Sequence, residues 1–269
     1  MENRIVFCLA MSFCIISCTP SHENQVDQLD QLFSGQMEII DLTHPLSINS
    51  TYWPNPENKT PFEHDTLIAQ PSGAPAMAAY SIPEHFGTHI DAPIHSADFQ
   101  KSVDQLTPKD LFGPAAVIDV SAKCEADPDY RLAKQDILYW EAQHGTLPDG
   151  VIVIMFTGWG AKWDDQSAYR NEGADGRMHF SGYSEEAAQF LVSERKIKGI
   201  GIDNFSVDYG LSLDFPVHKI VNGAGKYHLE NIAKVDLLPS TGAYLIVAPV
   251  KIAGGSGGQV RIFAVVLGR

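Results

Sequence analysis

The sequence predicts a single α/β domain with a mixed β-sheet core and few helices. Three observations carry this. Strand-like runs rich in Val, Ile and Phe outnumber helix-periodic stretches. The two clear helices fall between apolar strands, as in α/β units. No shift in composition marks a second domain, and at 44% hydrophobic and 19% charged residues the chain has the makings of one buried core.

The chain opens on Arg4 followed by an apolar run, Ile5 to Cys18, too short to span a membrane as a stable helix. Residues 1–17 read as a signal peptide of the lipoprotein type. Ile15-Ile16-Ser17-Cys18 resembles a bacterial lipobox, whose Cys is lipidated after cleavage. The expectation is an exported protein, facing the periplasm or cell exterior and held to the membrane only through a lipid on Cys18. An ordinary cleaved signal peptide is the alternative. Residues 18–35 read as a polar tether and residues 36–269 as the folded domain. Cys8 and Cys14 leave with the signal, so Cys124 is the one thiol of the domain, without a disulfide partner. Its surroundings, Lys123 to Pro128, read as a loop.

Within the domain, Met37–Leu42 reads as the first strand and Thr43–Asn55 as a loop. Phe62–Ala69 and Ala76–Ile82 read as strands split by Pro71-Ser72-Gly73-Ala74-Pro75. Ala115–Val120 is a strand by its Val and Ile content. Lys134–His144 is a helix that Gly145 stops. Val151–Thr157 is a continuous apolar run, hence a fully buried strand. Ser184–Glu194 is a helix with Ser184 as N-cap and Glu185 and Glu186 in its first turn. Ile200–Asp203, Ala243–Ala248 and Val260–Leu267 complete the strands. Gly158–Tyr183 is long for a structureless loop. Its Trp159, Trp163, Tyr169 and Phe180 either wall a site or pack against one another.

The densest chemistry lies in His85-Phe86-Gly87-Thr88-His89-Ile90-Asp91-Ala92-Pro93-Ile94-His95. Gly87 and Pro93 disfavour a continuous helix. In an extended segment His89 and Asp91 point to one side, and the backbone can turn at Gly87 to bring His85 in. Two imidazoles and a carboxylate suit zinc, and also manganese or iron. The competing reading is a polar edge strand whose histidines meet water. Farther on, His218 and Glu230 sit where turn residues meet short apolar runs, with His228 a rival to either. Asp203 to Asp208 reads as a polar strand end on a pocket rim. A formal net charge of −14 and the lack of a basic patch argue against nucleic acid as a partner.

His85-x-Gly87-Thr88-His89-x-Asp91-x-Pro93-x-His95 resembles the signature of the metal-dependent cyclase-like hydrolase family, which contains bacterial-type kynurenine formamidase and isatin hydrolase. Asp41-Leu42-Thr43, Gly201-Ile202-Asp203 and His218 with Glu230 extend the resemblance from about Met37 to the C-terminus. The resemblance implies a swivelling β/β/α fold, commonly a homodimer with sites near the subunit boundary. It implies that His85, His89 and Asp91 hold a first divalent ion, that Asp91 bridges to a second, that His218 binds that second ion, and that Glu230 touches both. It makes His95 the catalytic base and Trp53 a contact for an aromatic substrate. The long aromatic loop with Trp159, a second candidate substrate contact, looks closer to isatin-hydrolase-like members, some of which use a single manganese.

The resulting expectation is a metal-dependent hydrolase of an amide attached to an aromatic ring, loaded with one or two zinc ions or with manganese. An arylformamidase acting on N-formylkynurenine in tryptophan catabolism comes first, and a lactam hydrolase of the isatin type second. An exported, non-catalytic metal-binding or ligand-binding lipoprotein is the alternative from another class. His95 favours the enzyme, because a binding protein has no need of it.

Overall fold

The computed structural model describes residues 30–53 and 62–266. The signal segment, Cys18, most of the tether, Pro54-Asn55-Pro56 and Leu267 lie outside them. The chain divides into two units, residues 1–37 and 38–269. Of the first, residues 30–33 form a helical turn. All that follows concerns the second.

Its strands are β1 (Glu38–Asp41), β2 (Glu63–Ile68), β3 (Met77–Ser81), β4 (His89–Asp91), β5 (Phe112–Asp119), β6 (Arg131–Leu132), β7 (Ile152–Phe156), β8 (Gly182–Tyr183), β9 (Gly199–Ile202), β10 (Tyr227–Glu230), β11 (Ala243–Pro249) and β12 (Gly257–Val266). The main sheet runs β1-β12-β11-β5-β7-β9-β10-β4, and β4 pairs back onto β12. Every strand of it except β1 therefore belongs to a closed ring. The sheet is mixed: β5, β7, β9 and β10 run parallel, while β4, β11 and β12 close the ring antiparallel. Parallel neighbours need crossovers, and the helices Lys134–His144, Glu185–Glu194 and Pro216–Gly223 lie in them.

Local chemistry fixes the two longer helices. The Ser184 hydroxyl accepts from the Ala187 N–H, and the Asp136 carboxylate accepts from the Ala133 N–H. Gly145, at φ +87°, ends its helix in a conformation a side chain would resist. On β7, Ile152 and Ile154 join the apolar filling of the ring, with Ile90, Leu229 and Ile262. Val153 and Met155 face the other way, onto Trp140, Phe190 and Leu191 of the crossover helices. A strand buried on both faces reads as an unbroken apolar run, as this one does.

Strand alternation then places the polar residues of β4 and β10. Ile90 and Leu229 point into the ring, so His89, Asp91, His228 and Glu230 project from its outer face.

Several elements depart from expectation. Cys124 lies in a helix, Ser121–Ala126, buried against the outer-face core, and not in a loop. Burial pushes its thiol up to about 11 and leaves it inert. The Gly158–Tyr183 segment holds a 3₁₀ turn (Trp159–Lys162), a helix (Gln166–Arg170) and β8. β2 and β3 pair only with each other, outside the ring. β10 and the helix Pro216–Gly223 were not foreseen, because each is short and flanked by glycine. β12 begins three residues before Val260, in a glycine run that reads as a turn. Gly257 is there because a Cβ at that position would strike the His85 ring and the Ile90 carbonyl.

Candidate active site

β4 and β10 pair antiparallel with His228 opposite Asp91 and Glu230 opposite His89. Opposed residues in such a pair share a face, so the four polar side chains form a square. Two more imidazoles join it. Gly87, at φ +66°, turns the chain so that His85 folds back over β4. The helix Pro216–Gly223 brings His218 down from above, its N-terminus anchored by Asp208, which accepts from the Val217 and His218 N–H groups.

The distances are short. Asp91 Oδ1 lies 2.6 Å from His85 Nδ1 and 3.2 Å from His89 Nε2. Asp91 Oδ2 lies 3.3 Å from His218 Nε2. Glu230 reaches His89 Nε2 with one oxygen and His218 Nε2 with the other, both at 3.5 Å. The structure thus brings His85, His89, Asp91, His218 and Glu230 to one point. His95, on the 3₁₀ turn Pro93–His95, stands at the open side of the cluster, its ring 4.0 Å from that of His85 and 5.6 Å from that of His218.

The hydrogen bonds assign the nitrogens. His89 Nδ1 donates to the Gly87 carbonyl at 2.9 Å, and His218 Nδ1 donates to Asp208 at 2.7 Å. The Ser256 hydroxyl donates to Glu84, so it accepts from His85 Nε2 at 3.0 Å. In neutral imidazoles the second nitrogen of each ring is then a bare lone pair facing a carboxylate oxygen. Acceptor against acceptor is untenable unless a cation or added protons lie between them. Protons alone would hold His89 and His218 charged. His89 is raised to about 9 and His218 to about 10: burial opposes this, but Asp91, Glu230 and, for His218, Asp208 outweigh it. Glu230 is pushed up to about 7 by burial and by the Asp91 charge. Asp91 is held well below the usual carboxylate range, against burial, by His85 and His89. The donor set of imidazole nitrogens and carboxylate oxygens, each oriented by a second hydrogen bond, fits a divalent ion. His85, His89 and Asp91 form one compact group of candidate ligands, and Asp91, His95 and His218 a second.

Above the cluster is a cavity of about 310 Å³. Tyr52, Trp53, Phe86, Phe205 and Phe215 form much of its wall. Trp53 meets Phe180 and Phe205 edge-on, at 5.7 and 6.0 Å between centroids, which stiffens that wall. Trp159 is a correction. It lies outside the cavity, buried with Trp163, Tyr169, Met178 and Phe180, its indole N–H donating to the Tyr169 carbonyl. The aromatic loop is a packed support behind the site, tied to the cavity lining by polar contacts: the Tyr169 hydroxyl donates to Asn231, the Trp163 carbonyl accepts from the Thr51 hydroxyl, and Arg170 donates to the Tyr52 carbonyl.

Sequence reasoning missed Asp208 as the partner of His218. The signal was an acidic residue near a candidate ligand, since ligating histidines commonly donate their other N–H to a carboxylate. Phe205 falls within the Asp203–Asp208 stretch read as a pocket rim, whereas Phe215 gave no signal, because an apolar residue beside a turn reads as core.

A family model described as "Putative cyclase" matches residues 40–209. An isatin hydrolase of Roseibium aggregatum is 34% identical over 250 residues, covering 88% of this chain and 94% of that protein. A kynurenine formamidase of Bacillus cereus is 28% identical over 230 residues, covering 83% and 95%. The solved structure of isatin hydrolase A from Ralstonia solanacearum superposes with a TM-score of 0.84 at 32% identity, covering 93% of this chain and 99% of that one. The chain belongs to the cyclase family of metal-dependent hydrolases, and it is an enzyme of that family with the mixed-sheet barrel its relatives share.

Proposed function

We propose that this protein hydrolyses a small cyclic aromatic amide of the isatin type. The sequence alone put the linear aryl formamide first. What moves the order is the likeness to isatin hydrolase across most of both chains, together with a compact cavity whose wall is largely aromatic. A volume of about 310 Å³ is at the small end for a ligand site, and flat neutral rings stack on walls of this kind.

A divalent ion, zinc or manganese, at His85, His89 and Asp91 would polarise the amide carbonyl and acidify water. Asp91 and Glu230 each present one oxygen to His89 and the other to His218, so a second ion beside His218 is part of the reading. The protein's own part is to hold the rings fixed and to move a proton. His95, open to the cavity, is pulled down to about 4 by desolvation, with Asp91 opposing and the imidazoles of His85, His218 and His228 adding to the effect. It is therefore neutral and able to take a proton from the attacking water and pass it to the leaving nitrogen. Trp53, Phe205 and Phe215 would orient the ring so that its carbonyl faces the imidazole cluster.

The kynurenine formamidase relatives keep a second substrate in play, and one assay decides between them. Isatin and N-formylkynurenine are offered to the metal-loaded protein, with a chelator control. Faster ring opening of isatin, lost with chelator, is the expected result. Faster release of formate from N-formylkynurenine would return the protein to the formamidase reading, and turnover of neither would place its substrate outside both classes.

A further inference from the structure

His228 is assigned no ligand role in the reading above, and its surroundings are unusual. It is fully buried, and neither ring nitrogen has a hydrogen-bond partner among the described residues. Buried imidazole nitrogens are normally paired, and an apolar side chain would fill the position without that cost. The strand register sets His228 directly opposite Asp91. Its Nδ1 lies 3.6 Å from Asp91 Oδ2, too far for a hydrogen bond. Two ligands of one tetrahedral ion with bonds of about 2.0–2.1 Å stand about 3.4 Å apart. The spacings from Asp91 Oδ2 to His218 Nε2, 3.3 Å, and from Asp91 Oδ2 to His228 Nδ1, 3.6 Å, bracket that value. The His218 and His228 rings meet edge to face at 4.6 Å.

We propose that His228 is a direct ligand of a second cation, bound through Nδ1 beside Asp91 Oδ2 and His218 Nε2. This deepens the metal reading above and rests on it. Asp91 then divides its oxygens, Oδ1 towards His85 and His89, Oδ2 towards His218 and His228. Two imidazoles at the inner position favour zinc there over manganese, which prefers oxygen ligands. The inner ion is sealed under the helix Pro216–Gly223, while His85 and His95 leave the outer one open to the cavity. The inner ion would set charge and geometry, and the outer one would meet substrate.

The test is metal content, not activity. Full-length protein is stripped of metal and titrated with Zn²⁺, by calorimetry and elemental analysis, as wild type, His228→Gln and His228→Leu. Wild type is expected to bind two ions per chain. Both variants should keep one ion at unchanged affinity and weaken the other by about 100-fold or more, beyond the 10–100-fold typical of outer partners. In Co²⁺-loaded wild type, a hyperfine-shifted ring signal assignable to His228 would support ligation without any variant, and guards against variants that fold poorly. Two ions in all three proteins at equal affinity, or no shifted His228 signal in a protein holding two Co²⁺, overturns the His228 assignment alone. No ion bound by wild type overturns the metal reading beneath it.

Discussion

The pairs β2–β3 and β4–β10 are both short antiparallel ladders, and their surroundings could hardly differ more. Every residue of β4 and β10 is buried, although most carry polar or charged side chains. Almost every residue of β2 and β3 is exposed, including Leu67, Met77 and Tyr80. The buried pair is flanked by β9 and β12 and covered by a helix. The exposed pair has no third strand. Ladder hydrogen bonds are common to both, so they explain neither. A two-stranded ribbon is marginal alone in water, and buried carboxylates facing bare imidazole nitrogens are untenable alone. Each pair, we propose, is completed from outside itself, one by a divalent cation, the other by a second copy of this chain. The hairpin leads through Pro83 directly into His85, so a partner seated on it would lie beside the cavity, as expected of a homodimer with sites near its boundary.

The strongest blow to the buried pair is Asp91→Asn. It removes the carboxylate that faces both halves of the cluster, and turnover should fall by about 10³-fold or more together with metal content. Full metal occupancy in this variant, by elemental analysis, would separate the pair from the ion. His95→Ala comes next. Turnover should drop by about 10²–10⁴-fold with metal retained. Because His95 also lies within ligand distance of Asp91 and His218, loss of metal in this variant would make it a ligand and not the base.

The exposed pair is probed by Leu67→Lys with Tyr80→Lys. Sedimentation should show the dimer weakened at least tenfold, as expected when apolar contact is replaced by like charge, with the metal content of each chain unchanged. A chain that is monomeric before mutation would dismiss the second copy. The smallest effect is on stability. Below about pH 6.5 the protons on His89 and His218 stabilise the metal-free fold in full, and this contribution fades as pH rises through their raised values of about 9 and 10. Metal-free protein should therefore lose about 5–10 °C in Tm between pH 7 and pH 10, while loaded protein holds steady. Parallel curves would mean that protons do not stand in for the ion.

The same contrast explains what the sequence revealed. The His85–His95 stretch was legible because its ligands are neighbours in the chain and alternation alone aims His89 and Asp91 together. His218 and Glu230 could be singled out from the sequence, but their joining the first cluster came only through family resemblance, because their approach depends on a strand register and a helix set by distant packing. Asp208 was invisible as a partner for the same reason. The strands β5 and β7 were legible from apolar runs, and the capped Glu185–Glu194 helix from Ser184. The closure of β4 onto β12 was not, since glycine at Gly257 is a local turn signal chosen for a distant ring. The reading of Cys18 as a lipid anchor rests on its lipobox. Mass spectrometry of the mature N-terminus tests it, and an unmodified Cys18 would leave a simple secreted enzyme.

The ring closes on β12, the last strand among the described residues. Its first three paired residues, Gly257 to Gln259, are what β4 leans on, and Ser256 just before them holds His85. A nascent chain that has reached β10 has synthesised every candidate ligand, yet β4 still has a free edge and His85 has no anchor. Assembly of the centre therefore waits for β12 to leave the ribosome. If the chain is exported unfolded, that moment falls on the far side of the membrane, and the metal pool of that compartment decides which ion the enzyme carries.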